Sequence, residues 1–183
     1  LPSWIAIREH IHRHPELSFQ EVETAKFISQ KLTEWGIPHQ TGIAGTGIVA
    51  LIHGQEPDSR VLAFRADMDA LPIQERNLTS YCSKHDGVMH ACGHDVHTTC
   101  LLGLAQLLQQ TAHTWKGTIK CIFQPGEEKH PGGASLMIHE GVLMNPAPSA
   151  IFALHVYPHL PYGSLGFREG QYMASADEVY IRV

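Results

Sequence analysis

The chain has 183 residues, 43% of them hydrophobic, with a formal charge of −5 and a pI near 6.3. That is enough apolar material for a buried core in one domain or slightly more, and it argues against disorder. No Lys/Arg cluster is present to neutralise a phosphate backbone, so nucleic acid is excluded as the expected partner. No apolar run approaches the ~18 to 20 residues that span a bilayer, and residues 1–4 enter an amphipathic pattern directly rather than a signal peptide. A cytoplasmic protein with no membrane partner is expected. Cys82, Cys92, Cys100 and Cys121 form no CxxC pair, so reduced thiols are expected too.

Trp4, Ile7 and Ile11 repeat at helical spacing. A second helix is expected from Ser18, with the Ser-x-x-Glu pattern to Glu21 read as a capping box. Its apolar stripe is Val22, Ala25, Ile28, Leu32 and Trp35, and Gly36 and Pro38 end it. Two compact apolar runs, 48–52 and 61–66, flank the turn-rich segment 54–59 and are expected to pair as antiparallel strands. Residues 72–88 are polar and irregular. A helix follows from Asp95, its expected cap, with Leu101, Leu104, Ala105 and Leu108 on one face. Then come a strand at 118–123 ending at Gln124 and Pro125, a helix at 133–140 stopped by Gly141, and a buried strand at 150–154. Strands alternating with helices predict an α/β layered domain. Residues 176–183 alternate like one further, interrupted strand.

Histidine is over-represented, at 14 residues against 13 Lys and Arg together. His10, His12, His14, His39, His53, His113, His130 and His139 fall on expected helix faces or loops, where a solvated or hydrogen-bonded imidazole is ordinary. Three other places carry chemistry at the ends of expected elements, where open α/β sheets bind ligands. Cys92 and His94, in a Gly-containing turn before a helix, suit Zn²⁺ or a similar ion; a buried thiol in a helix-capping turn fits that pattern equally well. Glu127 and Glu128 follow an apolar strand and precede Gly132-Gly133. Alone they read as a solvated acidic turn, but their placement allows one to bind metal while the other meets a metal-bound water. His155 closes the run 151–154, either as a hydrogen-bonded core imidazole or as a ligand. Asp67 and Asp69 end the second strand with both carboxylates on one side. Asp69 is expected to orient a ligand histidine through its free ring N–H, and the role of Asp67 stays open.

Together these segments resemble the M20 metallopeptidase superfamily, and within it the aminoacylase and hippurate hydrolase subgroup that includes auxin-conjugate hydrolases. The resemblance is carried by His12-Arg13-His14-Pro15-Glu16-Leu17, by residues 65–72, by His90-Ala91-Cys92-Gly93-His94-Asp95, by Phe123-Gln124-Pro125-Gly126-Glu127-Glu128 and by Leu154-His155-Val156. It implies a three-layer α/β/α zinc-peptidase-like catalytic domain with a mixed sheet over residues 1–175. It also implies that 176–183 open an inserted ferredoxin-like lid and dimerisation domain. The implied site has Cys92, His94, Glu128 and His155 as ligands of two divalent ions, Zn²⁺ or Mn²⁺ first and Co²⁺ or Ni²⁺ next, with Glu127 as general acid/base. The implied reaction is hydrolysis of an N-acyl amino acid to a carboxylic acid and a free amino acid. A fifth ligand and an oxyanion-stabilising histidine are implied beyond residue 183, so the 183 residues alone are expected to be inactive and the complete protein a homodimer or homotetramer. Gly126 stands where the family usually has Ala, a change expected to alter local flexibility rather than role.

Two other readings stay open from the sequence. A di- or tripeptidase of the same superfamily would prefer dipeptides over N-acetyl amino acids. A noncatalytic zinc-stabilised domain would need closed four-ligand coordination.

Overall fold

The computed structural model describes residues 2–172, so the strand and domain boundary expected near residue 176 lie outside the described residues. Five strands form one mixed sheet: β1 (His39–Ile43), β2 (Gly47–His53), β3 (Val61–Asp67), β4 (Thr118–Gln124) and β5 (Ala150–Ala153), in the order β1-β2-β4-β3-β5. β1 with β2 and β2 with β4 are antiparallel, whereas β3 runs parallel to both β4 and β5. Helices α1 (Pro2–Arg13), α2 (Val22–Glu34) and α3 (His94–Gln110) pack on one face, and α4 (Gly133–His139) packs on the other.

Strand alternation assigns residues to these two layers. Ile119, Cys121 and Phe123 of β4 join Ile28, Leu32, Leu101 and Leu102 in the larger core, while Ile122 faces Met137 and Val142 in the smaller one. Lys120 faces the smaller side and is buried, its ammonium donating to the carbonyls of Val142 and Met144 at 2.9 and 2.7 Å. All seven residues of β4 are buried. That burial overturns the expected pairing of 48–52 with 61–66: β4 lies between these strands and bonds to both. A strand buried on both faces belongs at the sheet centre, and the segment after Gly54 spans the gap by pairing with residues 115–118 instead of closing a hairpin.

Three further expectations are corrected. Ser18 and Glu21 make no capping box: Ser18 donates to Asp69 at 2.6 Å, and Glu21 bonds the loop after β4. The first turn of α2 is instead capped by the Glu16 carboxylate, which accepts Glu23 N–H at 3.2 Å and Thr24 N–H at 2.8 Å, and Val22 leaves the apolar stripe for solvent. Asp95 does not cap α3, which starts one residue earlier behind a left-handed Gly93; its buried carboxylate meets His12 and Arg8, each at 2.8 Å. β5 is an exposed edge, not a buried strand, with Ile151 and Phe152 about half exposed, because only β3 flanks it among the described residues.

All four cysteines are free. Among the described residues no helix is long and apolar enough to cross a membrane.

Candidate metal centre

Because β3, β4 and β5 are parallel, their carboxyl ends share one edge of the sheet, and the amino end of α3 abuts the same edge. Asp67 and Asp69, Glu127 and Glu128, His155, and Cys92 with His94 therefore converge although up to 88 residues separate them in sequence. Donor atoms of Cys92, His94 and His155 lie within 4.8 Å of one another, as do those of His94, Glu127 and Glu128. His94 is common to both groups and is buried, whereas Cys92 and Glu128 are part-exposed, and Glu127 and His155 face the open side.

Hydrogen bonds fix how the two imidazoles present themselves. His94 Nδ1 lies 2.8 Å from the Asp69 carbonyl and 3.3 Å from its carboxylate. His155 Nδ1 lies 2.7 Å from the Val156 carbonyl. A carbonyl only accepts, so both Nδ1 atoms carry a proton, and in its neutral form each ring offers the Nε2 lone pair to the cluster. His155 Nε2 stands 3.4 Å from Cys92 Sγ. His94 Nε2 stands 3.6 Å from Asp67 Oδ2 and 3.7 Å from Glu128 Oε1, and neither His94 Nε2 nor Glu128 Oε1 has a hydrogen-bond partner though both are buried. Unsatisfied buried acceptors facing each other are costly, and a divalent cation would satisfy them together. The donor set of thiolate, imidazole and carboxylate suits a borderline ion such as Zn²⁺.

Asp69 reaches further, its Oδ2 also accepting the Glu128 N–H at 2.9 Å. Asp67 bridges Arg65 and His97, each at 2.7 Å. Burial opposes its ionisation, but the His97 hydrogen bond and the Arg65 charge outweigh it and hold the carboxyl at about 2. His97 is a site residue that the sequence reading passed over. It donates through Nδ1 to Asp67 and accepts the Val156 N–H at Nε2, 2.9 Å away, so it holds the backbone next to His155. With both nitrogens engaged it has no lone pair for an ion, although Asp67, His94 and His97 also cluster. Its spacing of three from His94 on one helix face was the available signal.

Burial, followed by the Glu128 carboxylate, pushes the Cys92 thiol up to about 12, and a bound cation would reverse that preference. Partial desolvation and then the Glu128 charge raise Glu127 above the usual carboxylate range, the direction a proton-accepting and proton-returning group needs. Burial drives His90, two residues before Cys92, down to about 4, so it sits neutral beneath the turn.

Two glycines are required here. A Cβ on Gly93, at φ +90, would collide with Val156, and one on Gly126, at φ +54, would collide with the face of the Phe19 ring. The glycine at 126 therefore makes room for Phe19. Gly126→Ala is expected to cost about 1 to 3 kcal/mol through strain and overpacking. Urea unfolding of the variant beside its parent checks this, and equal midpoints would count against the contact.

The layered α/β domain thus gathers imidazole, thiol and carboxylate groups at its strand ends, where such sheets place their ligands. The model of peptidase family M20/M25/M40 matches residues 63–179, and the chain belongs to that family. Over 179 residues it is 44% identical to an N-acyl-L-amino acid amidohydrolase of Geobacillus stearothermophilus, covering 98% of this chain and 48% of that protein. It is 48% identical over 182 residues to the N-acetylcysteine deacetylase of Bacillus subtilis, covering 97% of this chain and 46% of the relative. The crystal structure of the Bacillus subtilis YXEP protein, a dinuclear metal-binding peptidase of the M20 family, superposes with a TM-score of 0.87 at 48% identity, over 92% of this chain and 47% of that one. The chain thus spans about half the length of the curated relatives it matches.

Proposed function

We propose that the complete protein hydrolyses the amide bond of N-acyl amino acids, with Cys92, His94, Glu128 and His155 holding two divalent ions and Glu127 acting as general acid/base. The observation that carries this reading is the pair of Nδ1-anchored imidazoles whose free Nε2 atoms face Cys92 and Glu128. Support for the substrate class comes from the relatives, named for N-acyl-amino-acid and N-acetylcysteine hydrolysis.

When bound, the ions supply Lewis acidity toward the acyl carbonyl and the attacking water. Glu127 accepts the proton as water adds to the carbonyl carbon, then returns it to the amine nitrogen as the C–N bond breaks. Asp69 keeps His94 in one tautomer and Glu128 in place through its backbone N–H. Zn²⁺ suits these donors, the family resemblance adds Mn²⁺, and a cytoplasmic homo-oligomer completes the proposal. Cys92→Ala and His155→Ala in the complete protein are each expected to lower bound metal, since each removes a donor. Elemental analysis of the purified variants checks it, and unchanged metal in both would remove the ligand assignment.

A further inference from the structure

Glu21 stands just ahead of α2, where a helix cap would be, yet its side chain caps nothing there and has no exposed surface. Burying a carboxylate is costly unless its lone pairs are filled. Here three separate segments fill them. Oε1 accepts Phe19 N–H at 2.9 Å and Gly126 N–H at 2.8 Å, and Oε2 accepts the Thr46 hydroxyl, from the turn between β1 and β2, at 2.7 Å.

Gly126 immediately precedes Glu127, and on the other side the Glu128 N–H is held by Asp69. The Pro125–Gly126 peptide ahead of Glu127 and the Glu127–Glu128 peptide after it are thus each fastened to a buried carboxylate by charge-assisted bonds, which are roughly twice as strong as neutral ones. Gly126 is the residue of this loop with the widest backbone freedom, and that freedom is restricted on one side by Glu21 at its N–H and on the other by the Gly133 N–H, which its carbonyl accepts at 2.9 Å. Phe19, whose own N–H shares the same oxygen, closes over Gly126 with its ring.

We propose that Glu21 is a positioning residue for Glu127: its carboxylate fixes the Pro125–Gly126 peptide, one residue ahead of the acid/base, and so sets where the Glu127 side chain points. This rests on the reading of Glu127 given above. A displacement of about 1 Å in a catalytic group can cost on the order of 10²-fold, so the bracing is worth measuring as rate.

The test uses the complete natural protein that carries this sequence, as Glu21→Ala, Glu21→Gln, Glu127→Gln and the Glu21→Ala/Glu127→Gln pair, with Glu21→Ser replacing the Ala variant if that does not fold. Glu21→Ala is expected to lower kcat by roughly 10- to 100-fold with KM and metal content nearly unchanged. Glu21→Gln, which keeps an acceptor oxygen for Gly126, should restore most of the rate. In the Glu127→Gln background the Ala substitution should cost nothing more, because the group it aims is gone; the same loss on top of Glu127→Gln would overturn the proposal. Amide hydrogen exchange gives a readout independent of activity. In Glu21→Ala, exchange at Gly126 and Glu128 should quicken while Ile119, Cys121 and Phe123 of β4 keep their protection. Unchanged exchange at Gly126 would also overturn it, whereas an inactive parent with quickened exchange would remove the hydrolase reading and leave the bracing standing.

Discussion

Glu127→Gln in the complete protein is expected to keep its metal and lose about 10²-fold or more in kcat, the scale of general acid–base catalysis. Gln matches Glu in shape but cannot take a proton from water at neutral pH or return one to the departing amine. Glu127 sits on the open side of the cluster, and partial desolvation and then the Glu128 charge push its pKa upward, the direction that favours accepting a proton. Glu128→Gln should do the opposite and lose metal first, because the buried Glu128 Oε1 lies 3.7 Å from the free Nε2 of His94. Metal content and kcat measured on both variants decide the assignment. Metal loss in Glu127→Gln with metal retained in Glu128→Gln would show the two roles to be exchanged.

Local pattern made much of this legible. The α2 core positions Ala25, Ile28 and Leu32 follow from helical spacing, and β4 follows from a mostly apolar run interrupted by Lys120. The Asp67/Asp69, Glu127/Glu128 and His155 candidates stand at the ends of apolar runs and Cys92/His94 in the turn before a helix, and the parallel strands explain why strand ends distant in sequence meet. Long-range competition was not legible. Whether 48–52 pairs with 61–66 or with a strand more than fifty residues later depends on burying β4 on both sides, which a hairpin pattern does not contain. β1 was missed because His39, Gln40, Thr41 and Gly42 show no apolar alternation; it is an edge strand held by its ladder to β2. Ser18, Glu21 and Asp95 carried familiar capping signals, yet tertiary partners took their side chains. His97 was passed over for a related reason, since an imidazole that orients a neighbouring strand end through a backbone N–H is marked in the sequence only by its spacing of three from His94.

Residues 1–183 expressed alone are expected to hydrolyse N-acetyl and N-benzoyl amino acids at least about 10²-fold more slowly than the complete protein, even with Zn²⁺ or Mn²⁺ supplied, for two separate reasons. His155 is offered from β5, whose outer side carries no further strand among the described residues, and Ile151, Phe152 and Leu154 beside it are each about half exposed. A ligand on an unpaired edge is held less rigidly, and exposed apolar surface invites association instead. The relatives are also about twice as long as this chain. The family resemblance puts a further ligand and an oxyanion donor in that additional length, and losing one such donor costs about 10² to 10³ in kcat. Incomplete coordination should also leave at least one ion weakly held. Titrating metal into both proteins while assaying the same substrates separates these causes: weak metal binding points to the ligand set, and normal binding without turnover points to the missing donor. Equal turnover by the two would show that Cys92, His94, Glu128 and His155 suffice with Glu127, and that β5 needs no neighbour to present its histidine.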